Sequence, residues 1–125
     1  MASKQPEGPI PEEWRKAVLR ILQNGRFGRE IQAPKRVFAD WEADSLGAFP
    51  TDVRYPLIDA LSNAPVTGKL EPDQPEPGVT YAFWMHHLCC DEEKRKFYAK
   101  ICLFHDKVTI KLLSAHLPDK GPQSL

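Results

Sequence analysis

No stretch of this chain is apolar for long enough to cross a membrane, and no signal-peptide core follows the first methionine. A cytoplasmic protein with no membrane partner is therefore the default expectation. Cysteine is scarce. Cys89, Cys90 and Cys102 are the whole supply, an odd number with two adjacent, which excludes a disulfide framework and suits a reducing compartment. Neither sign of charge is in excess, since 17 basic residues meet 17 acidic ones, so net charge points neither toward nor away from a nucleic acid. The turn bracketed by Gly25 and Gly28 has no strand before it and no Lys-Ser/Thr after it, so it is not a phosphate-cradling loop. A GxSxG elbow is absent as well, and the adjacent cysteines sit in an apolar run where thiols usually pack rather than react.

The 125 residues are enough for one domain with a single modest core. Residues 1–9 are polar, hold two prolines and read as a loose tail. Residues 10–64 read as helical. In PEEWRKAVLRILQNG, Pro11 suits a first turn, Glu12 and Glu13 favour the positive end of the helix dipole, and Gly25 offers a left-handed cap. Trp14, Ala17, Val18, Ile21 and Leu22 recur at helical spacing as one buried stripe. Val37, Phe38 and Trp41 suggest a second, shorter helix after Pro34. Leu57, Ile58 and Leu61 suggest a third, with Thr51 or Asp52 as its cap and Pro56 confined to its first turn.

Residues 65–78 carry Pro65, Pro72, Pro75 and Pro77 and read as an extended connector or binding loop. From 79 to 120 the character changes. TYAFWMHHLC, RKFYAKICLF and KVTIKLLSAH are aromatic and β-branched runs with short breaks, the pattern of an antiparallel meander of at least three strands. The expected fold is α+β, with N-terminal helices packed on a C-terminal antiparallel sheet.

A two-residue hairpin at His105-Asp106 sets Leu103 against Val108, Ile101 against Ile110 and Ala99 against Leu112, a coherent apolar face. Phe97 then meets Ser114, and Arg95 meets His116. The opposite face holds Tyr98, Lys100, Cys102, Thr109, Lys111 and Leu113, with Lys100 directly across from Lys111. Like charges so placed call for an acidic neighbour, exposure to water or an anionic ligand such as an RNA phosphate. Seven of the basic residues lie between Lys94 and Lys120, against only Asp106 and Asp119, so positive charge gathers on the C-terminal hairpin.

His116 is the leading candidate for chemistry, because imidazole can give or take a proton at neutral pH. Arg95 and the lysines could stabilise a pentavalent phosphate while His116 or Tyr98 moves the proton. RNA cleavage of that kind needs no metal or cofactor, since the attacking 2′-hydroxyl belongs to the substrate. Zinc is the competing idea, from the repeated spacing of His86 with Cys89 and His87 with Cys90. Alternate residues of a strand face opposite sides, however, so these four do not converge on a flat strand.

The stretch FYAKICLFHDKVTIKLLSAHLP, a Tyr-x-Lys strand (Tyr98, Lys100, Ile101, Leu103) hairpinned onto a final strand, resembles the closing hairpin of the RelE-like ribonuclease toxins, above all their MqsR branch. The resemblance spans about residues 80–120. It implies a metal-independent endoribonuclease that acts on RNA and is neutralised by a cognate antitoxin. On that analogy His116, Tyr98 and Lys100 are catalytic, and Arg95, Lys111 and Lys96 bind substrate. The neutral charge, the three tryptophans and the proline-rich stretch lie outside the resemblance. They suit instead a non-catalytic interaction module, such as an immunity protein, antitoxin or adaptor, that uses the proline-rich loop and exposed Trp41, Phe83 and Trp84.

Overall fold

The computed structural model describes residues 7–46, 49–63, 65–72 and 74–118. Helix α1, Glu12–Asn24, buries the stripe read from its sequence, Trp14, Ala17, Val18, Ile21 and Leu22. Arg15 is buried with them. Its guanidinium donates to the Leu61 carbonyl at 2.7 Å and pairs with Glu12, tying α1 to the end of a later helix. The expected left-handed cap is corrected: Gly25 is extended, at φ −80° and ψ 164°. Glycine is needed there for another reason, since a Cβ would lie 2.7 Å from the Ile21 carbonyl oxygen. Arg54 finishes the helix instead, donating to the carbonyls of Leu22 (2.6 Å) and Gly25 (3.1 Å), a cation at the negative end of the dipole.

Helix α2, Lys35–Asp44, follows Pro34 and buries Val37 and Trp41 completely. A 3-10 turn over Pro50–Val53 leads into α3, Arg54–Ser62, whose Pro56 sits in the first turn where no backbone donor is missed. Asp52 accepts from the Phe49 N–H at 3.1 Å and caps the turn.

Among the described residues six strands form one sheet in the order β1-β3-β4-β5-β6-β2. They are β1 (Gly8–Pro9), β2 (Ile31–Gln32), β3 (Thr67–Leu70), β4 (Gly78–Leu88), β5 (Lys94–Phe104) and β6 (Ile110–His116). The α+β class and the β4-β5-β6 meander agree with the sequence reading, and three details correct it. The N-terminal part supplies β1 and β2, so the helices do not simply precede the sheet. Strand β2 runs parallel to β6, which makes the sheet mixed. Strand β3 lies within the stretch read as a connector, because Gly68 lets the chain approach β4 to where a Cβ would be 2.5 Å from the Ala82 carbonyl.

All three helices contribute to one core on one face of the sheet. Phe83, Met85, Phe97, Ala99, Ile101, Leu103, Ile110, Leu112 and Ala115 meet Trp14, Leu22, Trp41, Leu57 and Leu61 there. Trp41 and Phe83, expected as exposed recognition aromatics, are core residues. Among the described residues no helix packs on the other face of the three long strands.

Candidate functional site

The β5–β6 connection is longer than a two-residue turn. Asp106 accepts from the backbone N–H of Val108 and Thr109 and from the Thr109 hydroxyl, and Lys107 takes a left-handed backbone with φ 62°. The register is therefore Leu103 with Ile110, Ile101 with Leu112 and Cys102 with Lys111, two residues from the expected one. A shift of two keeps every side chain on its expected face. It also separates the two lysines, so Lys111 lies opposite Cys102 while Lys100 lies opposite Ser114.

Between these pairs the register slips once more. Ile101 pairs with Leu112 but Lys100 pairs with Ser114, leaving Leu113 as the extra residue of a β-bulge. This slip is odd, and it exchanges the faces of everything beyond it. Ala115 turns into the helix-covered core opposite Ala99, while His116 comes to lie opposite Tyr98 on the open face. The expected pairings of Phe97 with Ser114 and Arg95 with His116 are thus corrected.

The open face is organised in cross-strand rows. Trp84, Tyr98 and His116 form one row across β4, β5 and β6, with ring centroids 5.8 Å and 5.6 Å apart. The next row runs Lys69, Ala82, Lys100, Ser114. In a third row, Thr80 lies opposite Cys102 and Cys102 opposite Lys111. On the far side of the aromatic row, His86 pairs with Lys96, whose ammonium sits 4.6 Å from the centre of the Trp84 ring. Large rings and long lysines thus border a strip floored by the small side chains of Ala82 and Ser114.

Several contacts fix the members of this face. His116 Nδ1 lies 2.7 Å from the Leu117 carbonyl oxygen. A carbonyl only accepts, so Nδ1 carries a proton, and Nε2 of the neutral ring remains an acceptor. The next residue is anchored to the helix layer, where the Leu117 N–H donates to Asp44 Oδ2 at 2.9 Å. Burial, with Glu71 nearby, pushes the Tyr98 phenol up, so it stays protonated at neutral pH and acts as a donor. Lys111 is held by Glu76 at 3.3 Å, which lays the Glu76 carboxylate against this end of the face. Gly78 lets the start of β4 come close to β5 here, since a Cβ there would lie 2.2 Å from the Leu103 carbonyl oxygen.

Of the residues picked out in the sequence, Tyr98, Lys96, Lys100, Lys111 and His116 share the open face. Arg95 does not. It lies one residue out of phase, opposite His87, in an ion pair with Asp91. The Arg95 guanidinium holds the Asp91 carboxyl down at about 2. The histidines of the zinc idea also divide. His86 is exposed on the open face, whereas His87 packs 4.9 Å from Trp41 on the helix side. Among the described residues no three His, Cys, Asp or Glu side chains gather where a metal ion could be held.

Sequence reasoning missed Lys69, and it treated Trp84 as an interaction aromatic rather than a neighbour of Tyr98. The signal for Trp84 was its parity with His86, which the short β4–β5 turn would have placed opposite Lys96. No protein-family model, curated protein or solved structure matches the chain.

Proposed function

We propose that this protein binds single-stranded RNA on the open face of its sheet and cleaves it without a metal ion. The bulge at Leu113 carries the reading, because it turns His116 onto the face that holds Tyr98 and Lys100, a lysine with no ion-pair partner among the described residues. His116 Nε2 takes the proton from the attacking 2′-hydroxyl as the bond from that oxygen to phosphorus forms. Lys100 stabilises the charge that accumulates on the phosphoryl oxygens. Tyr98 donates to the departing 5′-oxygen as its bond to phosphorus breaks, leaving a 2′,3′-cyclic phosphate. Trp84 and Lys96 flank this centre as a surface for an unpaired base, the pairing of aromatic and cation used for single strands. A cognate antitoxin fits this reading as an acidic partner that covers the same face, and the RelE-like resemblance of the final hairpin supports it.

The test is incubation with a mixed-sequence oligoribonucleotide in EDTA and mass spectrometry of the products. Fragments ending in cyclic phosphate are expected. His116→Ala should slow cleavage by about 10²–10⁴-fold with the fold retained. Lys100→Ala should slow it by a factor of the same order. Intact RNA with the wild type, or undiminished cleavage by His116→Ala, contradicts the proposal.

A specific feature favours a second reading as a non-catalytic interaction module. Phe49 and Tyr55 are 74% and 65% exposed beside the 3-10 turn, an unusual outlay of aromatic surface. Pro65, Pro72, Pro75 and Pro77 of the proline-rich loop are exposed as well. Retention of a protein partner that is lost in a Phe49→Ser, Tyr55→Ser double variant, together with intact RNA, would favour this second reading.

A further inference from the structure

On the helix side, away from the open face, a cleft of about 460 Å³ runs between α1 and the lower end of β4 and β5. Its size is that of a small-molecule site. Trp14, Val79, Tyr81 and Leu103 give it an apolar interior. The Trp14 indole N–H is already engaged by the Val79 carbonyl at 2.8 Å, and the Tyr81 ring meets Trp14 edge-on at 5.1 Å. Recognition inside the cleft is therefore by apolar contact. Val79 remains 41% exposed in a chain that buries most of its other strand valine, isoleucine and leucine surface, and nothing among the described residues covers it.

The rim is charged. Arg20 reaches it from α1, while His105 and Lys107 come from the β5–β6 turn on the opposite bank. Among the described residues neither Arg20 nor Lys107 has an ion-pair partner, whereas Arg15, Arg29, Arg95 and Lys111 each have one. Among the described residues Glu13 is the single acidic side chain on the rim. The Asp106 hydrogen bonds that hold Lys107 in its left-handed conformation also fix where that cation projects. An apolar interior with unpaired cations on two facing banks is complementary to one kind of ligand.

We infer that this cleft binds a small apolar carboxylate, its flat or aliphatic body against Trp14 and Val79 and its anionic end between Arg20 and Lys107. The site is separate from the open face and does not depend on the RNA reading.

The test is a titration of the full chain with 1-naphthoate, followed by the three tryptophan indole N–H signals in a ¹⁵N–¹H spectrum. Naphthoate should shift the Trp14 signal saturably with a Kd of about 1 mM or tighter, and neutral 1-naphthamide should bind about 5-fold more weakly. The rim charges give a test of sign. Arg20→Gln and Lys107→Gln should each weaken naphthoate binding by about 2–5-fold, and Glu13→Gln should tighten it by about 2-fold. All three side chains are exposed, so folding is preserved. Equal binding of the amide overturns the inference, as does a shift in the same direction for Glu13→Gln and Arg20→Gln. So does an unsaturated response, or a Trp14 shift that follows protein concentration rather than ligand, which would mean that a second copy occupies the cleft.

Discussion

The two faces of the sheet are made from alternate residues of the same three strands, yet they are built to different rules. The helix-covered face is dry. Met85, Phe97, Ile101, Ile110 and Leu112 are almost wholly buried there, and His87 packs tilted against Trp41 and edge-on to Phe97. The open face sets aromatic rings beside lysines and carries two histidines, His86 opposite Lys96 and His116 next to a protonated phenol. The difference teaches where each residue type acts. On one face an aromatic ring contributes burial, and on the other it is left as surface for something else.

The largest test of that contrast compares two tryptophans. Trp41→Ala should cost about 3–5 kcal/mol of unfolding free energy, because a large ring leaves a cavity in a packed core. Trp84→Ala should cost about 1 kcal/mol, since its ring is only partly buried. Urea unfolding of the two variants checks this. Equal losses would mean that the open face is covered and structural.

A smaller effect probes the open face as a phosphate surface. If RNA binds there, Lys96→Ala should weaken binding and lower the slope of log K against log salt by about 0.7, the value for one single-strand phosphate contact. Fluorescence anisotropy at several salt concentrations measures the slope. An unchanged slope would detach Lys96 from the bound strand.

The smallest effect separates the histidines. Burial pushes the His87 pKa below its ordinary 6.5, so the folded protein resists a proton that the unfolded chain accepts. Stability is then fully present above about 6.5 and declines as pH falls toward the folded value. His87→Phe keeps a ring in the packing and should reduce the loss of urea midpoint between pH 7.5 and 5.5. The same loss in wild type and variant would place His87 in water.

Much of the helix layer was legible in the sequence, because its signals are local. The Trp14-to-Leu22 stripe, the prolines at helix starts and the pairing of Glu12 and Glu13 with an N-terminus each concern neighbours within a turn or two. The sheet was legible as three strands and two faces, since alternation survives a register error of two. The hairpin length was misread because Val108 looks like a strand residue, while the Asp106 side chain holds it in the turn. Strand β3 was hidden among prolines, and its evidence is a glycine whose need appears only when Ala82 lies beside it. The bulge was the least legible feature. Leu113 is as apolar as Leu112, and only packing decides which of them is left unpaired. That one residue sets whether His116 faces helices or solvent, so Tyr98, Lys100 and His116 could be named from the sequence but not assembled on one face.

The most direct test of the open face as an RNA surface uses the tryptophans as three fixed reporters. Trp14 stands at the cleft, Trp41 in the core and Trp84 in the row with Tyr98 and His116. Titration with a 2′-O-methyl oligoribonucleotide, which cannot be cleaved by attack of its own 2′-oxygen, should move the Trp84 indole N–H signal saturably and leave those of Trp14 and Trp41 in place. Movement of Trp14 in place of Trp84, or no movement at any oligonucleotide concentration, would contradict it.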